Sequence, residues 1–421
     1  MEKAILVGLW LDENDHFEHS MDELRELAKA CDFEVVGETT QKAPGVSKAF
    51  YIGSGKVEEV KFLAKNTEAD IVIFDNALSP MQLRNLNNAI DVPIMDRTTL
   101  ILEIFSRRAR TREARLQVDV AALQYALPRL VGLHDALSRQ GGTSGAMSNR
   151  GSGEKKIELD RRHIEQRLAT LRRELKDVAL DRQVQRAKRQ RSSIPLVGLV
   201  GYTNAGKSSI MNALVSKFEG PEEKQVFEED MLFATLETTV RKLESEDGKD
   251  FLLSDTVGFI DELPHNLVEA FKSTLEEVCE ADLLLHVIDF SDEHRDRHIK
   301  VTEHTLKELG AGDVPVLRVY NKLDKVDGGI YPVKSDTGVY ICAKDAASID
   351  LLTEAIYDKL FGDRKTYDLI IPYDRGDVVN VLSEQAQVLF TEYLGEGTSL
   401  RVCMNDELAG RYRQYIVNVC S

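Results

Sequence analysis

Apolar positions in the first hundred residues switch repeatedly between two periods. Ile5 to Leu9 reads as a strand, Met21 to Cys31 repeats with helical spacing, and Phe33 to Thr39 reads as a second strand. Lys56 to Lys65 is helix-like, and Ile71-Val72-Ile73-Phe74 is an unbroken apolar run of the length of a buried strand. Ser79-Pro80 opens a further helix, with Ser at the cap and Pro at the first helical position. Alternation of this kind predicts a small parallel α/β domain over residues 1–105.

The pattern then lengthens. Thr98 to Leu127 is helical and is expected to break near Pro128. Gly141-Gly142-Thr143-Ser144-Gly145 and Asn149-Arg150-Gly151-Ser152-Gly153 predict a flexible loop. From Glu158 to Arg191 helical spacing resumes through Leu159, Ile164, Leu168, Leu171, Leu175 and Val178. Two long helices joined by a loop predict a helical hairpin over residues 106–192, with Ser192-Ser193 before Pro195 as the next boundary. Residues 193–362 return to strand–helix alternation. Strands are expected at Leu196 to Val200, Phe251 to Ser254, Leu283 to Ile288, Val316 to Tyr320 and Val339 to Cys342. Residues 363–421 form a short mixed α/β piece.

Composition changes this picture in two places. The net charge of −17 hides an asymmetry: residues 107–191 hold 21 Lys or Arg against 10 Asp or Glu, an excess of +11, so the remainder carries −28. One basic element on an acidic body suits a polyanionic partner, although a solvated helix pair with internally matched charge has the same composition. The five cysteines lack metal-ligand or disulfide-framework spacing, no apolar run reaches the roughly 18 residues of a membrane span, and the first residues lack a signal-peptide pattern. A reduced, cytoplasmic protein without a membrane span is expected.

The chemistry concentrates after the first strand of the 193–362 region. Gly201-Tyr202-Thr203-Asn204-Ala205-Gly206-Lys207-Ser208, followed by Ser209, fits the phosphate-loop pattern between an apolar strand and an amphipathic helix. Glycines let the backbone wrap the phosphates, and helix N–H groups supply positive partial charge. Lys207 would meet the β- and γ-phosphates and Ser208 would ligate Mg²⁺. Asp255-Thr256-Val257-Gly258 ends a strand 47 residues beyond Ser208. There Asp255 can hold a Mg²⁺-bound water, and the Gly258 N–H can reach the γ-phosphate. Asn321-Lys322-Leu323-Asp324 selects the base: the Asp324 carboxylate accepts from the guanine ring N–H and exocyclic amine, which adenine cannot match. Polar matching of this kind discriminates by roughly 10⁴-fold in favourable cases. Cys342-Ala343-Lys344 would meet the guanine oxygen through its backbone, with Lys344 over the base. A switch threonine ligating Mg²⁺ is expected between Ser208 and Asp255, from Thr235, Thr238 or Thr239. Phe259 stands where many GTPases carry a water-orienting Gln. Intrinsic hydrolysis is therefore expected to be slow, and no catalytic residue can be named. Gly53-Ser54-Gly55-Lys56 is too short for a second phosphate loop and reads as a turn and cap for the helix near Lys56.

These motifs, in this order, are those of translation-factor-related GTPases, and the flanks resemble the HflX family in particular. The resemblance rests on the stretches Leu78 to Leu86, Asp96 to Phe105, Leu127 to Leu130, Gly201 to Ser208, Leu232 to Leu236 and Ile371 to Asp377, and it covers nearly the whole chain. It implies a P-loop GTPase domain flanked by an N-terminal α/β domain, a hairpin reaching ribosomal RNA, and a C-terminal α/β domain. It also implies binding of GTP, GDP and the large ribosomal subunit, and splitting of stalled ribosomes. The family's Phe-Ala-Thr-Leu stretch maps to Phe233 to Leu236, which adds Phe233 to the nucleotide-binding residues and selects Thr235 as the Mg²⁺ ligand. In related GTPases an Asn placed like Asn204 helps hold K⁺. ATP use by the N-terminal part, reported for some members, has no independent support here. The chain departs from the family at Ser152 and Lys155 in the glycine-rich loop and at Cys342, where Ser is usual. A monomer is expected. The rival readings are an RNA-remodelling GTPase without a ribosome role and a nucleotide-regulated module that scarcely hydrolyses GTP.

Overall fold

The computed structural model describes residues 1–11, 16–139, 150–190, 194–219, 233, 239–245, 249–256, 258–260, 277–362 and 364–420. They fall into two compact units, one of residues 1–178 with Phe233, the other beginning at Ala179.

In the first unit β1 (Glu2–Leu11), α1 (Phe17–Ala30), β2 (Phe33–Ala43), α2 (Ser54–Thr67), β3 (Ile71–Phe74), α3 (Pro80–Ala89), β4 (Ile94–Asp96) and α4 (Arg97–Arg108) follow in order. The four strands form a parallel sheet ordered β2-β1-β3-β4. β1 is buried without interruption from Ala4 to Leu9, as expected of a parallel strand covered on both faces. Ile5, Val7, Val72 and Phe74 pack with Val57 and Val60 of α2, Leu86 of α3 and Ile90 just beyond it. The predicted cap at Ser79 is a full capping box with Gln82, which fixes where α3 begins. α2 starts at Ser54 with Gly53 as its cap, so the Gly53-Ser54-Gly55-Lys56 stretch is a helix start.

Two long helices follow, α5 (Arg112–Arg139) and α6 (Arg150–Gln190). They pack through Leu116, Val120, Leu168 and Leu171. Two expectations fail here. The helical stretch breaks at Ala109, between α4 and α5, rather than near Pro128, which lies inside α5. Pro128 removes one helical hydrogen bond, but tertiary ties hold the helix on its course. Asp96 Oδ2 accepts from Tyr125 Oη at 2.7 Å, from the Leu78 N–H at 3.0 Å, and from Arg129. Beside it Arg97 pairs with Asp75 at 2.8 Å and with Glu23, all three buried. The residues that carry the family resemblance thus knot α5 to the sheet. The second failed expectation is the loop through Gly153: α6 already begins at Arg150. Residues 140–149 lie outside the described set.

The second unit holds β5 (Leu196–Gly201), α7 (Lys207–Glu219), β6 (Thr239–Leu243), β7 (Phe251–Asp255), β8 (Leu283–Asp289), α8 (Arg295–Leu309), β9 (Val316–Asn321), β10 (Val333–Ser335), β11 (Gly338–Tyr340) and α9 (Ala346–Phe361). The sheet order is β10-β11-β9-β8-β5-β7-β6, parallel except for the two edge strands. Its core gathers Leu199, Leu253, Leu285 and Val319 from the strands with Ile210, Leu214, Leu352 and Ile356 from α7 and α9. The remainder is β12 (Arg364–Ile371), α10 (Gly376–Gln385), β13 (Gln387–Leu394), β14 (Gly397–Asn405), α11 (Asp406–Arg411) and β15 (Ile416–Cys420), with an antiparallel sheet ordered β13-β14-β12-β15. Among the described residues no helix is long and apolar enough to cross a membrane.

Candidate functional site

The carboxyl ends of β5, β7, β8 and β9 converge on one cradle, where parallel α/β sheets bind ligands. The phosphate loop leaves β5 at Gly201, whose φ of +147° would put a Cβ 2.2 Å from the Val287 carbonyl oxygen. Only glycine fits there. The loop closes at Gly206, φ +97°, where a Cβ would sit 2.2 Å from Asn321 Nδ2. Lys207 then starts α7, its ammonium 2.7 Å from the Tyr202 carbonyl and 3.1 Å from that of Gly201. Burial pushes its pKa down to about 8, opposed by the charge of Asp255. Carbonyl dipoles stabilise an ammonium less well than an anion does, so the cradle favours a ligand that brings negative charge. Thr203 Oγ1 in the same loop is buried and has no hydrogen-bond partner among the described residues, an orphan of the kind a bound group satisfies.

Ser208 Oγ donates to Asp255 Oδ2 at 3.2 Å, and Asp255 is fully buried. A hydroxyl beside a carboxylate under the cradle is a hard-oxygen donor pair that fits Mg²⁺, which characteristically takes few protein ligands and completes its shell with phosphate and water. Gly258 lies against the loop: a Cβ there would meet Lys207 Nζ, Thr203 Cα and Thr203 Cγ2, each at 3.0 Å. Phe259 is buried, and its backbone forms a parallel bridge with Tyr202, the Phe259 N–H donating to Gly201 O at 3.1 Å and the Thr203 N–H to Phe259 O at 2.8 Å. The side chain at this position thus packs into the protein and offers nothing to a water.

The base loop is braced on the phosphate loop. Asn321 Nδ2 donates to Ala205 O and Asn321 Oδ1 accepts from the Ala343 N–H, both at 3.0 Å. Lys322, left-handed at φ +63°, donates to Asn204 O at 2.6 Å. Asp324 is exposed in the turn that follows. Cys342 lies next to it: burial pushes its thiol pKa up, and a hydrogen bond to Asp324 adds to the rise. Lys344 is exposed on the same segment, and Ser209 lies in the first turn of α7. Sequence reasoning missed two residues: Asp289 at the end of β8, whose carboxylate holds Lys322 at 2.9 Å, and His298 on α8, whose ring stacks on Tyr202. The Asp-Phe-Ser-Asp after β8 was the available signal for the former.

Phe233 belongs to the first unit, where its side chain is buried and edge-on to Phe105 with centroids 4.7 Å apart. Both oxygens of Asn204, the residue tied to K⁺ by resemblance, face the Lys322 ammonium, at 2.6 and 3.5 Å. Thr235 and Thr238 lie outside the described residues, whereas Thr239 is in β6.

Three family profiles match in sequence: GTP-binding GTPase N-terminal over residues 18–106, GTP-binding GTPase Middle Region over 108–189, and 50S ribosome-binding GTPase over 196–322. A GTPase HflX of Caldanaerobacter subterraneus subsp. tengcongensis is 45% identical over 99% of this chain and 94% of its own length. That of Lacrimispora saccharolytica is 40% identical over 97% of this chain and 94% of its own. That of Escherichia coli (strain K12) is 36% identical over 95% of this chain and 92% of its own.

Proposed function

This chain belongs to the HflX GTPase family, and on that premise we propose that it is a cytoplasmic, monomeric GTP switch that docks on the large ribosomal subunit and splits or rescues stalled ribosomes. The observation that carries the nucleotide half is Asn321, one amide tying the guanine loop to the phosphate loop on both sides. The ribosomal half is supported by the matched 50S ribosome-binding profile and by the +11 charge excess of residues 107–191.

GTP enters with its phosphates against the loop N–H groups and Lys207, and with guanine against Asp324. Ser208, and Asp255 through water, would hold Mg²⁺, which supplies charge neutralisation across the β- and γ-phosphates. The Gly258 N–H would donate to the γ-phosphate, so loss of that group releases the Asp255–Gly258 segment. Thr235 is the matching contact on the other switch. Phe259 cannot orient the attacking water, so hydrolysis is slow until a partner supplies or arranges the missing group.

The test is the GTP hydrolysis rate of the protein alone, with purified large ribosomal subunits, and with an equal mass of unrelated structured RNA. Strong stimulation by subunits alone supports the ribosomal reading. Equal stimulation by any RNA moves the assignment to RNA remodelling. The buried Phe259 favours one further reading, a GTP-regulated binding module, and tight GTP binding with no stimulated turnover would select it.

A further inference from the structure

The ring of Tyr202, the second residue of the phosphate loop, lies flat on the imidazole of His298, with centroids 3.7 Å apart and planes 11° off parallel. Both residues are buried, Tyr202 at 6% and His298 at 7% exposure. Nothing in the four nucleotide motifs calls for a histidine on α8. His298 is nevertheless held in place. It sits in the first turn of α8, its N–H donating to His294 O at 3.1 Å. Its Nδ1 lies 3.6 Å from Asp292 Oδ2, while Asp292 Oδ1 accepts from the His294 N–H at 2.8 Å. The Asp292 carboxylate thus lies beside the edge of the ring whose face meets Tyr202.

Tyr202 is the point where two functional segments share one anchor. Its carbonyl is the nearer of the two acceptors that orient the Lys207 ammonium, at 2.7 Å. Its backbone is also bridged to Phe259, which fixes the chain one residue after Gly258. If Tyr202 turns, the loop lysine and the γ-phosphate-facing glycine both lose their register. From this geometry we infer that His298 is a positioning residue for GTP turnover: its imidazole clamps Tyr202 from behind, setting the phosphate loop and the Asp255–Gly258 segment against the γ-phosphate. The inference rests on the GTPase reading of the cradle but needs no ribosomal role.

The flat face is what the geometry uses, so a flat substitute should serve and a bulky aliphatic one should not. An aromatic stack is worth enough to change a conformational equilibrium by about three- to tenfold. His298→Ala and His298→Leu should lower kcat for GTP by about that factor. Affinity for GDP, which keeps the β-phosphate contact of Lys207 but lacks the γ-phosphate, should fall by clearly less than kcat does, because Asn321 and Asp324 are untouched. His298→Phe should restore kcat to within about twofold of the unaltered protein. The experiment is single-turnover GTP hydrolysis and fluorescent-GDP titration on the full chain and these three variants, with thermal melting of each. Unchanged kcat in His298→Ala, or equal kcat in His298→Leu and His298→Phe, overturns the clamp. So does a fall in kcat matched by an equal fall in GDP affinity and in melting temperature. If the unaltered protein itself neither binds nor hydrolyses GTP, the cradle reading fails first.

Discussion

Gly206→Ala is the substitution whose cost can be worked most directly from the structure. The backbone at Gly206 has φ +97°, and an added Cβ would stand 2.2 Å from Asn321 Nδ2. Side chains at such a φ cost about 1–3 kcal/mol. The clash falls on a planar amide with no slack, since its nitrogen donates to Ala205 O and its oxygen accepts from the Ala343 N–H. Displacing Asn321 forfeits both bonds, at roughly 1 kcal/mol net each. The total is about 3–5 kcal/mol. It is shared between the fold of the loop and its ability to take nucleotide. Where most of it falls on binding, GDP affinity drops by about a hundredfold or more. Fluorescent-GDP titration reads that share, and thermal melting without nucleotide reads the rest. Gly310→Ala is the control: φ there is +86°, but no atom lies within 4 Å of the added Cβ. It should cost only strain, lowering the melting temperature while leaving GDP affinity unchanged. A Gly206→Ala protein that binds GDP within about threefold of the unaltered chain and melts at the same temperature refutes the reasoning.

Three further expectations can be checked alongside. Asp324→Asn removes the carboxylate that accepts two guanine donors, and should weaken GTP by about a hundredfold or more in competition titrations against other nucleoside triphosphates; unchanged GTP affinity would sink the base-recognition argument. Lys207, pushed down to about 8 by burial, is protonated below that value and binds phosphate in that form. A bound polyanion raises its pKa, so affinity should be level below pH 8, fall as pH rises beyond it, and show proton uptake in calorimetry with buffers of different ionisation enthalpy. Charge reversal on the hairpin should weaken ribosome binding and spare GTP binding, more for Arg172 and Arg173, which are exposed, than for Arg161 and Arg162, which are already matched by Glu158; sedimentation with large subunits reads the difference, and equal binding by both double variants would show that the surface lies elsewhere.

Much of the site was legible because local chemistry and chain order coincide there. A glycine with φ +147° leaving a strand and a lysine starting a helix are adjacent in sequence, so the motif carries the geometry with it. Ser79 and Gln82 are legible for the same reason. What escaped depends on distant partners. β6 is five residues of mixed exposure that become a strand only by pairing with β7. β4 is three residues long. Pro128 stays within a helix because Tyr125 and Arg129 reach back to Asp96, about thirty residues earlier, a tie that helical periodicity cannot register. His298 sits in a helix of mostly polar residues and gives no sign in sequence that it is buried against a ring almost a hundred positions away.

The end of β8 and the residues after it tie the turn at Asn321–Asp324 and the phosphate loop into one structure. Asp289, the last residue of β8, holds Lys322, and Lys322 in turn holds Asn204 of the phosphate loop. Three residues on, Asp292 braces His298, which faces Tyr202 at the other end of that phosphate loop. Asn321 closes the circuit at Ala205. The phosphate loop is therefore fixed at Tyr202, Asn204 and Ala205 by groups that touch no phosphate, all on or beside the ends of β8 and β9. Each tie alone is worth little by the standards of a folded domain. Together they set where the Lys207 ammonium points, and in a site whose donors must meet charge as it develops, placement rather than donor count limits the rate. A chain with Phe259 in place of a water-orienting side chain depends on that placement more than one that carries its own catalytic group.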